Sequence, residues 1–242
     1  MPAHDAGPPG LLIIMAKQPQ AGAVKTRLCP PLTPAGALAL YEAFLHDTIA
    51  LVATACTLAG DVTPALAYAP AGAHDYFRAC TPDRFVLLPQ HGADLGERLS
   101  RLPAQAAARG YGPVAMIDSD SPTLPPAYAA QAFAALARAD VDVVLGPCRD
   151  GGYYLIGMKA PQPALFRAIP WSTDQVTRAT LAAAARAGLR VVCLPAWYDA
   201  DTAADLETLR ATLAADPARA PHTHEVLAGR GLPGGTVSSG QI

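Results

Sequence analysis

Residues able to do chemistry recur in this sequence at the points where apolar runs end. Lys17, Lys25 and Arg27 fall within residues 17–28, a stretch with three cations and no acid in a chain of net charge -2. They follow directly on the run Leu11-Leu12-Ile13-Ile14-Met15-Ala16. Cations at the carboxyl end of a strand suit an anion, because open α/β sheets take their ligands at that edge; the plainer reading is a solvated basic loop. Asp118-Ser119-Asp120 leaves a second apolar run, and Asp199-Ala200-Asp201 a third. Carboxylates beside phosphate-binding lysines suit Mg²⁺ or Mn²⁺, which takes one or two carboxylates and fills its shell with phosphate oxygens and water. Of Asp118 and Asp120, one carboxylate is expected to face a ligand directly. Each pair also has a plainer reading, as a capped turn at Ser121-Pro122 or as helix-start chemistry at Thr202.

Two further segments carry glycines beside polar groups. Asp150-Gly151-Gly152-Tyr153-Tyr154 lets backbone approach a ligand closely, or simply turns a hairpin. Gln90-His91-Gly92 offers a side-chain amide and a close glycine to a flat base edge, or a loop before a helix. Lys25-Thr26 after Gly22 is not a phosphate-binding P-loop. Its glycine spacing is wrong, and Pro30-Pro31 follow where a helix would have to run.

The elements that must position these residues alternate between strand-like and helix-like patterns, which predicts a mainly parallel sheet with crossover helices. Strands are expected at 11–16, 63–69, 85–88, 114–117, 141–145, 153–157 and 190–194. Thr33-Pro34 reads as a helix start, with Leu38, Tyr41, Leu45, Ile49 and Val52 on one face. Helices are also expected at 94–109 and 128–138. Another is expected to begin in a capping box at Ser172-Thr173-Asp174-Gln175 and to reach residue 187, and a last one to begin at Thr202. From Asp216 onward Pro, Gly, Ser and His accumulate without periodicity. The expected organisation is therefore a disordered start over 1–10, one domain over 11–215 and a flexible tail over 216–242.

Size and composition narrow the possibilities. At 242 residues with 51% apolar content, one α/β domain can bury a sizeable core without staples. A pI near 6.3 gives no global basic field, which argues against nucleic acid as a partner. Five scattered cysteines without a C-x-x-C pair argue against a disulfide framework and a thiolate zinc site. They read as reduced thiols, and with no basic n-region at the start the expectation is a cytoplasmic protein that does not engage a membrane.

Taken in order, six motifs resemble the GT-A nucleotide-diphospho-sugar transferase superfamily, and more closely an uncharacterised bacterial glycosyltransferase-like family. The family pattern reads M-A-K-x-P-x-x-G-x-V-K-T-R-L, D-L-G-E-R-L, G-S-D-S-P-x-L, D-G-G-Y-Y-L-I-G, W-S-T and W-Y-D-x-D-T. Residues 15–28, 94–99, 119–124, 150–157, 171–173 and 197–202 match it. Asp118 departs from it, standing where the family has glycine. The resemblance implies a Rossmann-like GT-A fold with Lys17, Lys25 and Arg27 on phosphates and Gln90 and Gly92 near the base. It implies Asp120 as the principal metal ligand with Asp201 or Asp199 as the second, and Asp150, Gly151, Gly152, Tyr153 and Trp171 along the sugar or acceptor side. Lys25 and Asp120 are the catalytic candidates, and Mg²⁺ or Mn²⁺ the expected cofactor.

Three functions are compatible with these residues. A metal-dependent glycosyltransferase-like enzyme would use a nucleotide-sugar donor and a small-molecule acceptor, with metal and loop cations stabilising the departing nucleoside diphosphate. A nucleotidyltransferase would join an NTP to a sugar phosphate or phospho-acid and release pyrophosphate. A non-catalytic nucleotide-binding domain would share the fold but have no use for metal-bridging acids.

Overall fold

A computed structural model describes residues 8–229. Its centre is a seven-stranded sheet in the order β3-β2-β1-β4-β6-β5-β7. These strands are β1 (Gly10–Lys17), β2 (Val62–Ala69), β3 (Val86–Pro89), β4 (Val114–Ile117), β5 (Val143–Pro147), β6 (Tyr153–Met158) and β7 (Val191–Cys193). The pairs β1–β2, β2–β3, β1–β4 and β5–β7 are parallel; β6 runs antiparallel to both β4 and β5. The sheet is thus mainly parallel, as its near-continuous apolar strands require.

The alternation of side chains along β1 divides the core into two layers. Leu12 and Ile14 pack under α1 (Pro34–Ala59), α2 (His74–Cys80) and α4 (Pro126–Leu136). Leu11 and Ile13 face α3 (Leu95–Ala107) and α5 (Val176–Arg186) on the other side. All four are fully buried, and each such side chain contributes about 1.5–3 kcal/mol relative to exposure. α2 was not expected from the sequence, being only seven residues long. The α1 helix, with 26 residues, is long and apolar enough to cross a bilayer; 67% of its most apolar stretch is instead buried inside the protein. It packs against β1, β2 and α4.

A third cluster anchors what comes before α1 and after β7. Leu28, Leu40 and Phe44 meet Tyr198, Ala200 and the Leu206, Leu209 and Leu213 stripe of α6 (Ala203–Ala215). Thr202 caps α6, with the Asp205 side chain returning to the Thr202 backbone in a full capping box.

Two expectations need correction. The capping box at Ser172 does not form: Ser172 is left-handed (φ 64°), Thr173 Oγ1 donates to the Pro170 carbonyl, and α5 starts at Val176. The flexible tail expected from Asp216 gives way to a 3-10 turn (Pro217–Arg219) and α7 (Pro221–Leu227). Asp47 of α1, only 4% exposed, holds α7 by accepting from His222 N–H (3.1 Å), Thr223 N–H (2.8 Å) and Thr223 Oγ1 (2.6 Å). A long-range clasp of this kind leaves no local periodicity to read. The rest of the expected tail, 230–242, and residues 1–7 of the expected disordered start lie outside the described residues.

Candidate active site

Strand order reverses at β1, with β2 on one side and β4 on the other, so a crevice opens beyond the carboxyl ends of β1 and β4. A cleft of about 630 Å³ fills this crevice, lined by Lys17, Lys25, Arg27, Gln90, Arg98 and Asp120 among others. A second lobe of about 400 Å³ shares Met15, Arg27, Leu95, Asp118, Asp120, Ser172 and Asp201 with it. The second lobe is lined by six aspartates, Asp118, Asp120, Asp150, Asp174, Asp199 and Asp201, against one cation, Arg27. The cleft therefore has a basic end and an acidic end.

Lys25 sits where the two ends meet. Its ammonium lies 2.8 Å from Asp120 Oδ1 and 2.7 Å from Asp201 Oδ1, and donates to the Ala200 carbonyl at 3.0 Å. The Asp120 contact has ion-pair distance without hydrogen-bond alignment. The Phe44 ring covers the ammonium at 5.4 Å. Burial alone would lower the pKa of Lys25, but the two carboxylates overcome it and hold the amine charged well above its ordinary range. The Lys25 backbone is left-handed, at φ 49° and ψ 35°. A non-glycine residue there is strained by about 1–2 kcal/mol and persists only where its surroundings hold it.

The two acid pairs are tied together by backbone: the Ala200 N–H donates to the Asp120 carbonyl at 3.0 Å. Asp118 turns away from this partnership. Its Oδ1 accepts from the Asp120 N–H (3.0 Å) and Ser121 N–H (3.1 Å), and its Oδ2 from Ser121 Oγ (3.2 Å). That is the capped turn allowed by the sequence. Burial, then the charge of Asp120, pushes the Asp118 carboxyl well above the carboxylate range. Asp199 is raised to about 7 by burial, then by Asp150 and Asp201.

Lys17 and Arg27 are exposed in the basic end, Arg27 reaching within 4.0 Å of Asp201 Oδ2. Gln90 lines this end, but its amide hydrogens already go to the Ala16 (3.0 Å) and Ala67 (2.8 Å) carbonyls, leaving only an acceptor for a ligand. Gly92 does not line the cleft. Its φ of +146° and the 2.7 Å approach of Glu97 Cβ to any added Cβ explain the glycine by packing.

Asp150, Gly152, Tyr153 and Trp171 line the acidic end, where the Tyr153 and Trp171 rings meet edge-on at 6.4 Å. Gly151 lies behind them at φ +93°, under the Asp174 backbone. The Asp150 carboxylate accepts from the Gly152 N–H at 2.8 Å, so this is also the hairpin turn between β5 and β6.

Sequence reading did not single out Arg98 or Tyr41. Arg98 reaches the basic end from the first turn of α3, donating to the Gly92 carbonyl at 3.2 Å. It stands one turn from the Asp94 cap within the D-L-G-E-R-L motif, and that spacing was the available signal. Tyr41, expected only as part of a buried stripe, accepts from the Lys17 N–H at 3.0 Å and lies 3.2 Å from Ser119 Oγ. It fastens the carboxyl ends of β1 and β4 to α1.

The oxygen donors of Asp120 and Asp201 converge, since both sit on one ammonium. As hard ligands they fit Mg²⁺ or Mn²⁺ through their remaining oxygens. The shared position between them, however, is taken by Lys25.

Comparison with known proteins agrees with the fold. A crystal structure at 1.90 Å from Desulfovibrio desulfuricans G20, provisionally assigned as a nucleotide-diphospho-sugar transferase, is 31% identical. It aligns over 91% of this chain and 94% of its own, with a TM-score of 0.82. A cytidylyltransferase from Leptospira borgpetersenii serovar Hardjo-bovis aligns over 91% of this chain and 92% of its own, at 10% identity and TM-score 0.55. A nucleotidyl transferase from Methanothermobacter thermautotroptrophicus aligns over 86% and 99%, at 14% identity and TM-score 0.55. These last two share the fold alone. No curated protein matches the sequence. Residues 51–173 match the family described as "Uncharacterized protein conserved in bacteria (DUF2064)", and with the long alignment to the Desulfovibrio protein the chain belongs to this bacterial family of GT-A-like α/β proteins.

Proposed function

We propose that this protein is a transferase that takes a sugar from a nucleotide-diphospho-sugar donor and passes it to a small acceptor, with a divalent cation bound at Asp120 and Asp201. One observation carries the reading: a single cleft joins a cationic end to an acidic, aromatic end, with Lys25 between two carboxylates at the junction. In this reading Lys17, Arg27 and Arg98 hold the diphosphate, and Trp171 and Tyr153 face the sugar or acceptor. Asp120 and Asp201 would hold Mg²⁺ or Mn²⁺, which would supply positive charge where the diphosphate departs; one such well-placed group is worth about 3–4 kcal/mol of barrier. Lys25 keeps the two carboxylates together and ionised, so it acts as a positioning residue rather than as the phosphate ligand expected from the sequence. The relationship to the Desulfovibrio protein supports a nucleotide-sugar-related transferase.

Nucleotidyl transfer is the second reading. Lys17 and Arg98, which make no carboxylate ion pair among the described residues, favour a long phosphate chain. Thermal shift against a panel of nucleotide sugars and NTPs, with and without Mn²⁺, followed by product analysis, tests both. Stabilisation at a ligand concentration of about 100 Kd should be roughly 2.7 kcal/mol. Release of a nucleoside diphosphate supports glycosyl transfer, and release of pyrophosphate supports nucleotidyl transfer. No stabilisation by any member of the panel would sink both.

A further inference from the structure

At the acidic end of the cleft, two lining aspartates and the buried Cys148 make a donor set of different chemistry from the Asp120–Asp201 pair. One ligand atom each from Cys148, Asp150 and Asp199 lies within 4.8 Å of the others. We propose that these three side chains form a second cation site, a thiolate–dicarboxylate site for a borderline divalent ion such as Zn²⁺, with donors other than the pair held by Lys25. The proposal goes beyond the nucleotide-sugar reading and does not depend on it.

The backbone builds this site. Cys148 pairs with Trp197 in an isolated parallel bridge. The Trp197 N–H donates to the Pro147 carbonyl (3.0 Å) and the Arg149 N–H to the Trp197 carbonyl (3.1 Å). Asp150 stands in the turn directly after Cys148, and Asp199 two residues beyond Trp197. The β5–β6 turn is closed by the Cys148 N–H on the Gly152 carbonyl (2.9 Å) and the Gly151 N–H on the Cys148 carbonyl (3.3 Å). Two braced segments therefore present three donors at one point.

No cationic side chain pairs with these donors among the described residues. Cys148 is 7% exposed, and its thiol makes no hydrogen bond among the described residues. Asp199 and Asp150 make no ion pair among the described residues, unlike Asp120 and Asp201. The neighbouring Arg149 lies with its guanidinium over the Tyr198 ring instead. Two carboxylates and a buried thiol with no cation among them form an incomplete set.

The ligand chemistry selects the ion. Thiolate favours zinc over the hard, oxygen-seeking magnesium. A tetrahedral centre with bonds of about 2.0–2.3 Å needs donors roughly 3.5 Å apart, and the three donor atoms here lie within 4.8 Å of one another. Three protein ligands leave one position open, as in catalytic zinc sites. Asp150 and Asp199 both line the cleft, so that open position faces whatever binds in its acidic end.

Cobalt(II) titration of the chelator-treated protein, with the metal alone as probe, decides the matter, because a cobalt–thiolate bond has its own near-ultraviolet charge-transfer band. The band should rise to saturation, be displaced by Zn²⁺, and vanish in Cys148→Ser. It should persist in Cys29→Ser, Cys80→Ser and Cys193→Ser. Asp150→Asn and Asp199→Asn, at positions exposed and half-buried, test the site without disturbing the core. Each should weaken Co²⁺ binding by roughly tenfold or more, as loss of even a supporting group does. Absence of the band at saturating Co²⁺, a band that follows another cysteine, or unchanged affinity in both aspartate variants would overturn the site. Failure here would leave the nucleotide panel unaffected, and the reverse.

Discussion

Lys25 sets charge against burial. Its side chain is 4% exposed, its backbone is left-handed, and its charge is held in place by Asp120 and Asp201, each about a third exposed. Removing one partner of a fully buried ion pair costs about 3–5 kcal/mol; the partial exposure of the carboxylates reduces that here to about 2–3 kcal/mol. Lys25→Ala should therefore lower the melting temperature of the metal-free protein by roughly 5–10 °C. Saturating Mn²⁺ should restore more stability to this variant than it adds to the wild type, since a cation then fills the place between the carboxylates. Paired melts with chelator and with Mn²⁺ check both, and an unchanged metal-free melt would show that the ammonium does not brace the loops. Asp118 and Asp120 should separate just as clearly. Asp118→Asn retains an acceptor for the Asp120 and Ser121 N–H groups while removing an ionisable group whose charged form is disfavoured beside Asp120, so it should keep or raise metal-free stability and leave Mn²⁺ affinity within about threefold. Asp120→Asn should abolish Mn²⁺-dependent nucleotide binding, as read by calorimetry. Equal losses from the two variants would point to both carboxylates on the ion.

Elements were legible in the sequence wherever their signal was local. β1 and β4 read as strands because both faces are buried and their runs are unbroken; α6 read as a helix from its Thr202 cap and its leucine stripe. α7 did not, because its order derives from Asp47, 175 residues away from His222. Asp47→Ala removes the acceptor of three hydrogen bonds, one of them from a hydroxyl, and should cost about 2–4 kcal/mol. The expected reading is selective loss of hydrogen-exchange protection in α7, with the sheet unchanged. In the site the same division holds. The basic loop and both acid pairs were visible as motifs, but which cation meets which acid was not, because that depends on strand order. The Asp150 turn illustrates the limit: D-G-G was read as either ligand contact or hairpin, and it is a hairpin whose side chains also line the cleft. At Gly151, an added Cβ would lie 2.2 Å from the Asp174 carbonyl oxygen at a φ of +93°. Gly151→Ala should accordingly displace the 171–174 wall, costing about 2 kcal/mol and weakening ligand at the acidic end more than at the basic end.

On the scale of the whole molecule, a net charge of -2 conceals a strong separation of charge. Six aspartates crowd one end of the cleft, and within this group Asp199 is raised to about 7 by burial, then by Asp150 and Asp201. The sign of the consequence follows from linkage. In the unfolded chain an aspartate titrates near 3.9, so between about pH 4 and 7 the native protein holds a proton on Asp199 that the unfolded chain has released. Stability from this group is therefore lost as pH rises through that window, and the penalty is complete above pH 7. Allowing for solvent screening of a partly exposed carboxyl, the loss is on the order of 2 kcal/mol. Asp199→Asn should raise the melting temperature of the metal-free protein above pH 7 by roughly 4–8 °C, and change it little near pH 4. A bound divalent cation should erase the difference, because positive charge beside Asp199 favours its ionised form and returns its pKa towards the ordinary value. Melts of both proteins from pH 4 to 8, in chelator and again with Zn²⁺ or Mn²⁺, give the measurement. Parallel pH profiles in chelator would mean that the acidic end is relaxed by solvent rather than waiting for a cation.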